Sequence, residues 1–517
     1  MPFRGGCGKD CFPDKQFQLV SSAGARIEGS NSYKSIFKAT TLFGGVQLYQ
    51  VLVNIVRSKF VAVLLGTAGM GIQGMFMSTL QFIQSITSLG LSQSAVRDVS
   101  EANGTADEQR LGKTVSAFRK LVWFTGLLGM VAVMVFSPIL SEVTFGNHDY
   151  TVPFILLSCI LLIDQLASGQ KVVLQGMRRL KELAKSSAIG ATLGLLISVP
   201  IYYVFGIKGI VPTLILNSVT GFLISWFFAR RISIPREELS AQEIWRHGGR
   251  MVKMGVAMSV SAIFSTAVSY IIRAFIMRHG GTESVGLYQA GFVVINTYVG
   301  MIFTAIGTDF YPRLAAVNQD NAACRSIVSR QGEIASQILA PLLCLCVLFM
   351  PLILRILYSN QFLSAAPFVL WCCPGMMLKM ASWLVAYQFV AKAQTRLFVF
   401  TELSWGLIYL ALSLAGYRIM GLAGLGIAFT VTYIIYLVLV LAIAVRKYGF
   451  SFSGSFVWSF LIQTALVAGA LAAILLVKSL WRYWLGAALT VSSCAIALLI
   501  LEKKTGVLRA VRERFVK

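Results

Sequence analysis

Apolar runs long enough to cross a bilayer, one after another, dictate what this chain can fold into. A helix crossing a hydrocarbon core of ~30 Å needs roughly 20 apolar residues. Residues 187–205, 209–229, 254–272, 284–308, 338–354, 419–445, 448–477 and 483–501 each pass without a charged side chain. The uncharged stretch 60–96 is too long for one helix, and the turn-forming cluster Gly66-Thr67-Ala68-Gly69-Met70-Gly71 divides it. Helices are expected near 42–65, 72–92, 121–140, 152–168, 187–205, 210–228, 254–277, 285–306, 335–355, 366–386, 397–416, 422–445, 456–477 and 484–501, fourteen in all. With 56% apolar and 13% charged residues over 517 positions, the chain has too little charge to cover a soluble surface of that size. The expected fold class is an all-α, multi-pass membrane protein.

The charges are lopsided, 45 Lys+Arg against 21 Asp+Glu, a formal net of +24. The bases fall between the apolar runs rather than in one patch, which argues against nucleic acid as a partner and for membrane topology. An even number of spans puts both termini on one side, and assigning that side to the cytoplasm gives its segments 35 of the 45 bases. The opposite assignment would gather Lys171, Arg178, Arg179, Lys181 and Lys185 in one outer loop. Outer loops are short, residues 141–151 forming one of the longest, which leaves no room for an extracytoplasmic catalytic domain. Residues 1–31 lack the apolar core of a signal peptide and read as a disordered cytoplasmic extension. Cys7 and Cys11 are too few for a structural zinc site. The other seven cysteines lie in or beside apolar runs and read as small hydrophobes.

The two halves match at one offset. Gly66-Thr67 and Gly71-Ile72 reappear as Gly281-Thr282 and Gly286-Leu287, and Gly206 and Gly209 reappear as Gly421 and Gly424, all 215 residues on. Lys181 falls on Arg396 and Gln81 on Asn296 at the same spacing. Six helices per repeat imply two pseudo-symmetric lobes related by an axis along the membrane normal, around a central cavity. The expected parts are a first lobe over residues 32–229, a cytoplasmic linker over 230–253, and a second lobe over 254–445. Residues 446–517 supply two further helices and a basic tail. Duplicated bundles facing one another suit alternating-access transport.

Polar stripes mark what the cavity holds. The first helix carries Gln47, Gln50, Asn54 and Arg57 on one face, and the second carries Gln73, Gln81, Gln84 and Ser88. The seventh carries Ser261, Ser265, Ser269 and Arg273, four apart throughout, and the eighth Gln289 and Asn296. Such stripes face protein or water rather than lipid. Interhelical hydrogen bonding explains the serines of the seventh helix taken alone, whereas stripes on the first two helices of both repeats favour a wet cavity. Arg57 admits a second reading, snorkelling to the outer interface. Lys59, roughly 200° around the same helix, reads as an interfacial anchor. Lys379 and Asp164, 215 residues apart, are the deepest charges, and a salt bridge between lobes and two separate polar pockets are both open. Glu402, near a helix end, is explained by ordinary solvation.

A cleft carrying Arg and Lys with few acids takes an anion, and guanidinium suits phosphate through bidentate bonds. The candidate binding residues are therefore Arg57, Arg273, Lys379, Gln50, Asn54, Gln81, Gln84 and Asn296, with Asp164 the candidate for ion coupling. His148, His247 and His279 show no nucleophile–base spacing, and neither a metal motif nor a Walker motif is present. No catalytic residue, metal or cofactor is expected.

The run from Leu64 to Gly71, followed by Gly90-Leu91-Ser92-Gln93-Ser94-Ala95-Val96-Arg97, resembles the bacterial O-antigen/polysaccharide flippases of the Wzx type, within the multidrug/oligosaccharidyl-lipid/polysaccharide exporter superfamily. The segments Leu174 to Ala184, Val285 to Ala290 and Tyr311 to Leu314 share the likeness, which covers about residues 32–445. The resemblance implies twelve or more helices in two lobes. It also implies translocation of undecaprenyl-diphosphate-linked oligosaccharide from the cytoplasmic to the periplasmic leaflet of the bacterial inner membrane. Membrane lipids and polysaccharide polymerase or assembly proteins are the partners it suggests; the glycan stays open. Alternatives are a peptidoglycan-precursor flippase of the same superfamily, a multidrug exporter, or a membrane-embedded polysaccharide enzyme.

Overall fold

The computed structural model describes residues 15–104, 107–235 and 237–505, and every regular element among them is a helix. In order these are α1 (Lys15–Thr87), α2 (Leu91–Gly104), α3 (Glu108–Phe145), α4 (Thr151–Gly176), α5 (Leu180–Phe205), α6 (Ile210–Ala229), α7 (Ala241–Val293), α8 (Met301–Ala316), α9 (Asn321–Leu348), α10 (Met350–Leu357), α11 (Ala366–Ala391), α12 (Thr395–Tyr448), α13 (Gly454–Leu476) and α14 (Trp481–Thr505). Residues 1–14, part of the expected extension with Cys7 and Cys11, lie outside the described residues; α1 reaches back to Lys15.

Ten stretches among the described residues are long and apolar enough to cross a membrane. Four of them run 43 to 69 residues. At 1.5 Å per residue even the shortest would measure about 65 Å, twice a hydrocarbon core. Each of the four contains one glycine at positive φ, Gly66, Gly206, Gly281 or Gly421, where the helix breaks and doubles back. Counted as continuous stretches the helices number ten rather than the expected fourteen; counted by the arms on either side of these glycines they number fourteen.

The breaks carry the internal repeat. Gly66 and Gly281 adopt φ/ψ of 67/−167° and 72/−175°. Gly206 and Gly421 adopt 53/−133° and 58/−136°. Arg178 and Ala393, also 215 apart, are both left-handed at φ 55° and 54°. The helix α4 at 151–176 maps onto α11 at 366–391 with both ends at the same offset. A left-handed backbone at a non-glycine residue costs energy and persists only where the surrounding fold imposes it. Its recurrence at one offset therefore shows two copies of one backbone, whatever their side chains.

The two ends of the bundle are finished differently. At the end away from the glycine breaks, α3, α7, α9 and α13 begin on Asp107, Ser240, Asp320 and Ser453, each accepting a bond from a first-turn backbone N–H. These caps belong in water. At the opposite end the chain turns on glycine with almost no loop, and Tyr203, Trp481 and Trp484 stand 77%, 73% and 72% exposed, as aromatic side chains do at a membrane interface.

The second arms of α1 and α7 cross so closely beside the breaks that only glycine fits. A Cβ on Gly71 would lie 1.9 Å from the Thr282 carbonyl oxygen, and one on Gly286 would lie 2.0 Å from that of Thr67. The contact is reciprocal between repeat-related residues, so the pseudo-axis passes through it. Lys59, expected as an interfacial anchor, is engaged by the second repeat. Its ammonium donates to the carbonyls of Arg355, at 2.6 Å, and of Tyr358, capping the C-terminus of α10 and tying the first repeat to the second. Outside the repeats, α13 and α14 are clasped to α9 by Gln463, which donates to Gln337 Oε1 at 2.7 Å and accepts from Ser493 Oγ at 2.6 Å. Such side-chain bonds are the usual glue between helices in lipid, where the hydrophobic effect no longer drives association.

Candidate functional site

The polar stripes converge on two cavities between the repeats. The first, about 310 Å³, lies among both arms of α1 and the second arm of α7. Asn54, Arg57, Ser58, Gln73, Gln289, Thr297 and Tyr298 give it its polar wall. Arg57 faces this space beside the buried Tyr202 of α5. Gln50, one turn below Asn54, is half-buried and is not among its lining residues.

The second cavity, about 480 Å³, has a chemically uniform wall. Gln81, Gln84 and Ser85 come from α1, Ser88 from the turn that follows it, Ser92 from α2, Gln165 and Ser168 from α4, and Ser265, Thr266 and Ser269 from α7. Every one of these is a hydroxyl or a primary amide, and none is charged. Gln165 donates to Thr125 at 3.2 Å, and Ser92 and Ser168 share a bond of 2.8 Å. The wall is thereby held in place while lone pairs and protons remain for a guest. Such a surface suits a ligand made of hydroxyl groups.

Arg273 stands between the two. It is 7% exposed. Its Nε donates to Gln289 of the first cavity at 3.2 Å, and its Nη1 donates to the carbonyl, at 3.1 Å, and the hydroxyl of Ser269 in the second. The rings of Phe292 and Tyr288 lie 5.1 and 5.7 Å from the guanidinium carbon. Among the described residues the ion pairs are Arg110–Glu101, Arg313–Asp309 and Lys504–Glu333, none of which includes Arg273, Arg57 or Lys379. A buried cation with only neutral partners is costly, and an anion arriving in either cavity relieves that cost.

Lys379 and Asp164 do not join this group. Lys379 meets Asn296 at 3.4 Å inside the second repeat, between the rings of Phe303 and Tyr433. Asn296 lies on a π-helical turn, Val294–Val299, that interrupts the run from α7 to α8, and it is drawn to Lys379 rather than to either cavity. Asp164 accepts from Ser218 inside the first repeat. Ser218 and Tyr433 are themselves 215 residues apart, so the two deep charges occupy equivalent positions with separate partners. Of the two alternatives left open by the sequence, the interlobe salt bridge is not formed. Helical periodicity identifies a face but not the neighbour it meets, and α11 turns this face toward α12 of its own lobe. Glu402 is half-buried and accepts from Tyr436 at 3.3 Å.

Among the lining residues that sequence reasoning missed are Gln165, Ser168 and Tyr298. The first two sit three apart beside Asp164, a spacing that could have marked a polar face on α4. Tyr298 carries no such signal.

Residues 60–367 match the model of a family described as polysaccharide biosynthesis protein. The chain belongs to that family. It is also 22% identical over 415 residues to the lipid III flippase of Escherichia coli K12, covering 78% of this chain and 96% of the relative. The Shigella flexneri lipid III flippase matches equally. Among solved structures, an inward-facing multidrug resistance MATE family transporter of the MOP superfamily superposes with a TM-score of 0.64 at 13% identity, over 80% of this chain and 95% of the other. An inward closed conformation of the lipid II flippase MurJ superposes at 0.63 and 11%, over 90% and 99%. The family member described here thus shares the overall fold of these two structures.

Proposed function

We propose that the chain is a flippase that moves an undecaprenyl-diphosphate-linked oligosaccharide, an O-antigen or related surface-polysaccharide unit, from the cytoplasmic to the periplasmic leaflet of a bacterial inner membrane. The observation that carries this reading is the placement of Arg273. A buried guanidinium without a carboxylate partner links a cavity holding Arg57 to a cavity walled only by hydroxyls and amides. Diphosphate is the group that a guanidinium recognises best, and a sugar is the group that the second wall recognises. The prenyl tail stays in lipid. Membership of a polysaccharide biosynthesis family and the likeness to a lipid III flippase support a lipid-linked cargo.

On this reading both termini are cytoplasmic, since that end holds 35 of the 45 bases. The bodies that rock against each other are the repeats at residues 32–229 and 254–445. A diphosphate bearing about two negative charges gains about 4–5 kcal/mol per 100 mV when it moves outward from a negative interior. Asp164, in its own pocket, is the carboxylate available for an exchanged cation. The testing experiment is a leaflet-specific assay in proteoliposomes with fluorescent undecaprenyl-diphosphate oligosaccharide. Protein-dependent translocation of that probe, and none of a cationic dye, is expected; the reverse pattern overturns the reading in favour of a drug exporter.

A further inference from the structure

We propose that a pocket of about 390 Å³ among α9, α13 and α14 binds a phosphate group, carried by an acidic phospholipid or free in solution. The pocket shares no residue with the two transport cavities. It opens at the end where the bases collect, beside the capped starts of α9 and α13.

Its charge comes first. Arg325, Arg330 and Lys504 face Glu333 alone, so three cations against one carboxylate leave a net of +2. Lys504 and the buried Glu333 are paired, which leaves the two arginines as the surplus. Both are exposed, and neither forms an ion pair or a hydrogen bond among the described residues.

The pocket also supplies hydroxyl donors. Ser453 accepts from Phe456 N at 3.2 Å, Ser329 accepts from Ser453 N at 3.1 Å, and Ser455 accepts from Lys504 Nζ at 3.1 Å. Each of the three keeps its O–H donor and a second lone pair free, and Ser326 adds a fourth hydroxyl to the wall. Hydroxyls able to donate, beside two guanidinium groups without an ion pair among the described residues, make an anion site, and phosphate is an anion that both kinds of donor recognise. Basic pockets between helices at the cytoplasmic face meet the anionic lipid leaflet there.

The experiment uses the purified full-length protein, native mass spectrometry and thermal unfolding, with phosphatidylglycerol, phosphatidylcholine and inorganic phosphate as probes. The variant is R325Q/R330Q; R230Q/R231Q removes the same charge at the same end, where those arginines lie over Trp226 and Phe227. Both pairs of side chains are exposed, so the unfolding temperature without probe is expected to stay put. Wild type should retain phosphatidylglycerol over phosphatidylcholine, and R325Q/R330Q should weaken it by roughly tenfold for each guanidinium removed, with R230Q/R231Q unaffected. Competition by inorganic phosphate would assign the site to the phosphate group itself; none would assign it to the lipid. Equal retention in wild type and R325Q/R330Q, or equal losses in both double variants, overturns the proposal. Neither readout depends on transport, so the outcome stands apart from that of the flipping assay.

Discussion

Replacing Arg273 with methionine separates a transport role from a packing role, because the two predict opposite signs of stability. The side chain has five N–H groups, and the bonds to Gln289 and Ser269 engage Nε and Nη1. The Nη2 group makes no hydrogen bond among the described residues, and under the proposed function it is the group that meets the diphosphate. Two charge-assisted bonds to a phosphate, at about 1.5–3 kcal/mol each, give at least ~3 kcal/mol, or a loss of roughly 150-fold. The folded protein, by contrast, loses little. Gln289 and Ser269 both line cavities, so water satisfies them once the guanidinium is gone, and the cost of burying an unpaired charge disappears. Arg273→Met should therefore lower initial flipping rates about a hundredfold at limiting substrate, while the unfolding temperature stays level or rises. Arg273→Lys keeps the charge but not the fork, and should recover about a tenth of wild-type transport. The assay pairs proteoliposome flipping with thermal unfolding of the same preparations. Wild-type flipping by Arg273→Met, or a loss of flipping that merely tracks lost folded protein, refutes the reasoning.

Two further outcomes follow from the same geometry. Gly71→Val places carbon against the Thr282 carbonyl, where even a Cβ would lie at 1.9 Å. It should open the glycine-break end at a cost of about 1–3 kcal/mol, read as faster labelling of an introduced Gln73→Cys by an impermeant maleimide; unchanged labelling would show that the crossing does not seal the cavity. Gln81→Leu with Gln84→Leu strips two amides from the neutral wall, and at about 0.5–1.5 kcal/mol each should weaken glycosylated cargo roughly tenfold while leaving undecaprenyl diphosphate itself unaffected, as measured by competition binding.

Much of this was written in the order of residues. Uncharged runs of membrane length fix the fold class, since a backbone in lipid has to satisfy its own hydrogen bonds. The 215-residue offset located the break glycines, because a chain that doubles back at a membrane surface without a loop needs a residue free to take positive φ. Stripe spacing found Arg57, Asn54, Gln81 and Gln84, since the position of a side chain around one helix is a local property.

What a helix meets is not local. Periodicity could not tell that Gln81 shares a wall with Gln165 of α4, or that Asn296 turns to Lys379 while its repeat-mate Gln81 turns to a cavity. Nor could it show that Lys59 caps a helix of the opposite repeat nearly three hundred residues away. Those pairings depend on how the arms cross, and the crossing is set by contacts such as Gly71 on Thr282 that exist only once both repeats are folded. The linear chain decided which groups are polar and on which face they stand; the packed bundle decided which of them share a space.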